Sequence, residues 1–146
     1  MKPTYLSPTQ KAGRDFILRR IKGHVVMLNL LRFRDVADYS ASPELKPEKP
    51  ISGKEAYQKY INHTLPFLNE SGGKMLFLGE GGKYLIGPTD ECWDAVMLIQ
   101  QNSVESFLSF ESHSEYQKGI GHRTAALEDS RLLPVEEVKE PGKLIF

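Results

Sequence analysis

Two short segments are apolar on both of their faces, and they decide what the rest of the chain must supply. HVVMLNLLRF (residues 24–33) is short and β-branched at its start, which favours a strand over a helix. One face carries Val25, Met27, Asn29, Leu31 and Phe33, and the other carries His24, Val26, Leu28, Leu30 and Arg32. WDAVMLIQQ (residues 93–101) is a second, equally apolar strand. Strands of this kind must be covered on both sides. Helices can cover one side of a sheet, but 146 residues leave the other bare. A bare apolar sheet face of that size marks a surface for a partner.

The intervening segments read as helices and turns. Ser7 as N-cap and Pro8 at the first helical position open an amphipathic stripe of Phe16, Ile17, Leu18 and Ile21. The stripe ends at Gly23, so a helix is expected over residues 8–22, covering a sheet edge or meeting a partner subunit. Residues 34–52 hold Pro43, Pro47 and Pro50 among many charges and read as a long functional or mobile loop with one short helical turn. Ser52 and Glu55 have capping-box spacing, and Ala56, Tyr57, Tyr60, Ile61, Thr64, Leu65 and Leu68 follow the 3.6-residue period. Pro66 predicts a kink near Asn62–His63, and Gly72-Gly73 ends the helix.

Residues 74–87 read as a hairpin or a bulged strand, given Gly79, Gly81 and Gly82. Ser103 caps the helix VESFLSFES, and the following HSEYQKGIGHRTAAL is broken by Gly119 and Gly121. RLLPVEEV (residues 131–138) is the last strand, with Pro134 placing it at an edge or a bulge. The apolar end Leu144-Ile145-Phe146 is suited to docking on a neighbour. The order β-α-β-β-α-β over residues 24–138, within a single domain spanning 1–146, predicts an α+β ferredoxin-like sandwich. Pairing two copies face to face, as a homodimer, would bury the open sheet.

Composition narrows the function classes. Lys+Arg and Asp+Glu both number 19, which argues against a non-specific nucleic-acid or anionic-membrane binder. The zero net charge leaves little repulsion against self-association. No apolar run approaches the roughly 20 residues of a membrane helix, and the N-terminus lacks the apolar core of a signal peptide. Cys92 is the single cysteine, so no intrachain disulfide can form and a reducing cytoplasm is the natural compartment.

The strand VVMLNLLRF, the helix GKEAYQKYINHTLPFL, the strand DAVMLIQ and the block SVESFLSFESHSEYQKGIGHRTAALEDSRLLP resemble the dimeric α/β-barrel superfamily. The likeness is to one of its uncharacterised branches of small bacterial proteins, a domain-of-unknown-function family. It runs over residues 24–138, and Ser112-His113-Ser114-Glu115-Tyr116 is its most specific part. The resemblance implies sheets paired into a barrel and a pocket between the sheet and the helices of each subunit. Activities in that superfamily range over monooxygenation of aromatic polyketides, muconolactone isomerisation, haem-dependent chlorite and peroxide chemistry, and aldoxime dehydration. Fold alone therefore selects no reaction.

Candidate site residues follow from polar groups on this apolar scaffold. Asn29 lies mid-strand, where a buried amide must meet either a ligand or a backbone group. Arg32 reads as an ion-pairing residue of the opposite face. Tyr57 and Tyr60 share a helix face, continued by His63, and present hydroxyls to a pocket or simply pack. Trp93 at a strand end is a pocket wall or a packing residue. His113, Tyr116, His122 and Arg123 form the densest polar cluster, with His suited to proton transfer and Arg to a carboxylate or enolate.

No histidine pair has metal-ligand spacing, and no phosphate loop or nucleophile elbow is present, so neither metal nor cofactor is expected. Cys92 reads as structural. The expectation is a substrate site of Asn29, Tyr57, Tyr60, Trp93, Tyr116 and Arg123, with Asn29 and His122 as the catalytic candidates. Three readings stay open, one of them a purely structural interaction module that uses the same apolar sheet and has no cavity. Another is a small cofactor-independent enzyme, monooxygenase- or isomerase-like, acting on a small apolar or aromatic compound. The third is a non-catalytic small-molecule-binding or stress-associated dimer.

Overall fold

The computed structural model describes residues 2–140, 142 and 144. In chain order the elements are α1 (Gln10–Leu18), β1 (Val25–Phe33), a 3₁₀ turn (Pro43–Leu45), α2 (Gly53–Glu70), β2 (Lys74–Lys83), β3 (Cys92–Gln101), α3 (Val104–Glu111), α4 (Ser114–Gln117), α5 (Ile120–Ala126) and β4 (Leu127–Val135). The strands form one antiparallel sheet in the order β2-β3-β1-β4. That order interleaves two β-α-β units, and the fold is ferredoxin-like α+β. The two segments that are apolar on both faces, β1 and β3, are its central strands.

Alternation in β1 sends Val25, Met27, Asn29 and Leu31 inward, all buried, while Val26, Leu28 and Leu30 are half-buried on the far face. The inward residues join Ala95 and Met97 of β3 beneath Ala56, Tyr57, Tyr60, Ile61 and Leu68 of α2. The start of α2 is fixed by the capping box: Ser52 Oγ accepts from Glu55 N at 3.0 Å, and Glu55 Oε1 accepts from Ser52 N at 3.0 Å. The helix runs through Pro66 to Glu70 as one element.

Among the described residues, no helix packs on the far sheet face. Leu133 of β4 and Phe77 of β2 are 57% and 54% exposed there, beside Leu28, Leu30, Val96 and Leu98. The β2–β3 loop adds Leu85 and Ile86, both almost fully exposed. Among the described residues, no helix is long and apolar enough to cross a membrane.

Three boundaries differ from the sequence reading. The first helix is Gln10–Leu18 rather than 8–22, capped by Thr9, whose Oγ1 accepts from Ala12 N at 3.1 Å. Ser7 and Pro8 are instead part of an extended lead-in tied to β4, and the helix stops where Arg20 turns left-handed (φ 51°). The last strand is Leu127–Val135 rather than 131–138, because Leu127, Asp129 and Ser130 pair with the end of β1 across a bulge at Arg32/Phe33. Gly121 lies inside α5, and of the two glycines only Gly119 falls, with Lys118, between α4 and α5. Residues 74–83 form a bulged strand, with the register shift between Met75 and Phe77. Of the apolar end, Ile145 and Phe146 lie outside the described residues.

Candidate ligand cavity

Between the sheet and its helices lies a cavity of about 250 Å³. Met27 and Asn29 of β1 and Met97 and Ile99 of β3 form its floor, α2 forms its roof, and α3 and α5 close one side. The remaining wall is the extended segment Leu6-Ser7-Pro8. The lining is mainly apolar, with a few polar groups converging on it.

Asn29 is 6% exposed. Its Nδ2 donates to the Met27 carbonyl at 3.1 Å, and its Oδ1 has no partner among the described residues. Thr64, one turn beyond Tyr60 on α2, is buried too, and its Oγ1 makes no hydrogen bond of good geometry, although it lies close enough to the Tyr60 hydroxyl to influence it. The Tyr60 and Tyr116 hydroxyls lie 2.7 Å apart. That pair holds two protons and needs only one between them, so the other is free to donate. Burial holds the phenols of Tyr57, Tyr60 and Tyr116 well above the ordinary tyrosine value, and the mutual proximity of the rings adds to this for Tyr57 and Tyr116. All three are neutral donors near pH 7.

Glu111, at the end of α3, also lines the cavity. Burial raises its carboxyl above the usual range, and the Arg123 guanidinium opposes that only in part. The sequence reading passed over this residue. The signal was present: Glu111 stands four residues after Phe107 and so shares its face. Arg123 reaches the cavity from α5, and its Nη1 donates to the Leu6 carbonyl at 2.6 Å.

Five of the residues singled out from sequence, Asn29, Tyr57, Tyr60, Tyr116 and Arg123, thus line one cavity. Trp93 and His122 do not. Trp93 is buried with the guanidiniums of Arg32 and Arg131 at 5.4 and 5.0 Å from its ring, and its Nε1 donates to Tyr84 Oη at 2.6 Å. Arg32 pairs with Asp129 at 3.1 Å.

The His122 Nδ1 meets Tyr39 Oη at 2.8 Å and so pins the 34–52 loop to α5. Burial, with Lys59 and His63 nearby, lowers its pKa. Adjacent residues of a helix point about 100° apart, so α5 can aim only one of His122 and Arg123 into the cavity. The other histidines near this region are clips as well. The His63 Nε2 lies 2.8 Å from the Glu115 carbonyl, and His113 Nδ1 caps α4 by accepting from Glu115 N at 3.1 Å. Gly119 is required between them, because a Cβ there would lie 2.1 Å from the His63 ring. Among the described residues no cluster of His, Cys, Asp and Glu could hold a metal ion.

The family described as Domain of unknown function (DUF1330) matches residues 48–138. A crystal structure of methylated RPA0582 protein is 33% identical, covering 97% of this chain and 100% of the other, with a TM-score of 0.85. A second, of the RPA0582 protein of unknown function from Rhodopseudomonas palustris, is 33% identical over 94% of this chain and 100% of the other, with a TM-score of 0.82. A dimeric protein of unknown function and ferredoxin-like fold from Bacteroides fragilis is 13% identical over 80% of this chain and 99% of the other, with a TM-score of 0.47. No curated protein matches significantly.

Proposed function

The chain belongs to the family described as Domain of unknown function (DUF1330), and within it we propose that this protein binds a small apolar or aromatic carbonyl compound and acts on it by proton transfer. The observation that carries this reading is the set of polar groups gathered on an apolar cavity: Asn29, Thr64 and the paired Tyr60 and Tyr116 hydroxyls, with Thr64 Oγ1 lacking a hydrogen bond of good geometry. A buried polar group without a partner costs about 1–3 kcal/mol, and a ligand in the cavity would remove that cost.

The chemistry follows from the neighbours. Glu111, with its raised pKa, is poised to take a proton from carbon beside a carbonyl. Neutral tyrosine hydroxyls are suited to hold the oxygen on which negative charge then develops. Where the compound carries a double bond next to that carbon, the proton returns from Glu111 to the far end of the dienolate, an isomerisation; without one it returns to the same carbon, a hydrogen exchange, and neither consumes a cofactor. Asn29, Tyr57, Tyr60, Tyr116 and Arg123 bind and orient the compound. His122, expected to be catalytic, has no part in this scheme because it does not line the cavity.

The test uses 2-tetralone, an aromatic ketone with acidic hydrogens beside its carbonyl, in deuterated buffer. Proton NMR is expected to show binding and protein-dependent deuterium uptake, lost in Glu111→Gln. Binding without uptake would leave the non-catalytic small-molecule reading. No binding of 2-tetralone or related phenols and aldehydes would overturn both.

The uncovered sheet face supports a homodimer. Leu28, Leu30, Val96, Leu98, Leu133 and Phe77 share that face, a contiguous apolar patch of the kind that marks a partner surface. Light scattering after size exclusion should give twice 16.5 kDa, and Leu133→Glu with Phe77→Glu should return the monomer mass. A parent protein at 16.5 kDa at micromolar concentration would overturn the dimer.

A further inference from the structure

We infer that residues 2–9 are the removable wall of the cavity, and that Arg123 couples its release to the ligand by exchanging the Leu6 carbonyl for a ligand oxygen. This rests on the cavity being a ligand site. Three observations converge on it.

The first is placement. Leu6, Ser7 and Pro8 line the cavity directly, while every other wall belongs to the sheet or to packed helices.

The second is attachment. The segment has no helix or strand of its own, and within it only Leu6 is even half-buried. Three hydrogen bonds tie it down: Tyr5 N donates to Asp129 Oδ1 at 2.8 Å, Ser130 Oγ donates to the Tyr5 carbonyl at 2.6 Å, and Arg123 Nη1 donates to the Leu6 carbonyl at 2.6 Å; the Arg131 guanidinium also lies 4.8 Å from the Tyr5 ring, and Leu6 packs against the core. Lys2 adds one exposed ion pair with Asp90. The helix that follows, α1, has no buried residue. A segment held by a few polar bonds and little apolar burial opens far more readily than the walls opposite it.

The third is the identity of one anchor. Arg123 lines the cavity and also holds the wall. A guanidinium offers five N–H donors in a planar fork suited to a carboxylate or carbonyl. A ligand oxygen brought beside Arg123 competes directly with the Leu6 carbonyl, so entry and release of the wall are one event. Ligands are therefore small aromatic compounds bearing a carboxylate or ketone oxygen.

The test locks the wall. Tyr5→Cys with Ser130→Cys is made in a Cys92→Ser background, so that only the intended pair can oxidise. Indole-3-carboxylate and indole serve as probes, by stopped-flow for rates and calorimetry for affinity. Oxidation should slow indole-3-carboxylate association at least tenfold, and reductant should restore it. Deleting residues 2–8 should speed association at least tenfold, which keeps the test sound if the disulfide fails to form. Arg123→Met should cut the preference for indole-3-carboxylate over indole at least tenfold. Rates unchanged by both lock and deletion overturn the removable wall, and a preference unchanged in Arg123→Met overturns its coupling to the ligand. If neither probe binds the reduced parent, the ligand-site reading fails instead.

Discussion

Asp129 and Glu111 are carboxylates on opposite terms with their surroundings. The Asp129 side chain is 3% exposed and saturated: it accepts from Tyr5 N, Ser130 N, Arg131 Nη1 and Arg32 Nη2 at 2.7–3.1 Å. Burial works to raise its pKa, but these donors outweigh burial and hold it below the ordinary value. Glu111 has only the Arg123 charge to set against burial, and its pKa is raised. A buried charge that is fully partnered fixes geometry, whereas one left short of donors is free to exchange a proton. Asp129 builds the frame that holds the cavity's outer wall, and Glu111 is the group inside it on which the proposed proton transfer rests.

The largest effect should come from breaking the saturated node. Asp129→Ala leaves two guanidiniums without their shared carboxylate and the Tyr5 amide without its acceptor. Urea unfolding at pH 7 should show a loss of about 3 kcal/mol. The sign with pH follows from the depressed pKa. The stabilisation is present above the unfolded carboxylate value of about 4 and is lost as pH falls through the lower folded value. The gap between parent and Asp129→Asn should therefore close in strong acid. A loss under about 1 kcal/mol at pH 7 would mean that the node fixes nothing.

The cavity's own hydroxyls should respond in opposite directions. Tyr60→Phe leaves Tyr116 with no partner for its phenol and should cost about 1–2 kcal/mol. Thr64→Val removes an oxygen that makes no hydrogen bond of good geometry, at nearly constant shape, and should stabilise the protein by about 1 kcal/mol. Calorimetric melting of both variants checks the pair. A destabilised Thr64→Val would mean that the Thr64 hydroxyl is satisfied in solution, and one support for a ligand site would go.

How much of this was legible beforehand depended on whether local pattern or tertiary pairing decided the matter. The capping box at Ser52 and Glu55 and the alternation from Val25 to Phe33 are local, and the fold and Asn29's inward position followed from them. Tyr57 and Tyr60 followed from helical period in the same way. His122 and Arg123 are neighbours of similar polarity, and only the packing of α5 on α2 chooses between them. Leu127–Ser130 lies ahead of the strand expected from residue 131 and becomes strand through its pairing with β1. The wall at Leu6–Pro8 has no pattern at all, since three side chains distant in sequence hold it in place.

The smallest effect, and the sharpest discriminator between the two carboxylates, is the pH response of Glu111→Gln. A raised folded-state pKa means that ionisation is harder in the native protein than in the unfolded chain. Below the ordinary glutamate value both states are protonated and Glu111 costs nothing. As pH rises from there to the folded value, the unfolded chain ionises first and the native state loses stability by comparison. Above the folded value the cost is constant. Glutamine never ionises, so the variant's melting temperature should match the parent's near pH 4, exceed it increasingly as pH rises, and then hold a fixed margin. Asp129→Asn should show the reverse, with the parent ahead at neutral pH and the two converging in acid. If Glu111→Gln is destabilising at pH 8, Glu111 has partners of its own and belongs with Asp129 in the frame, and proton exchange must then be sought in another group of the cavity.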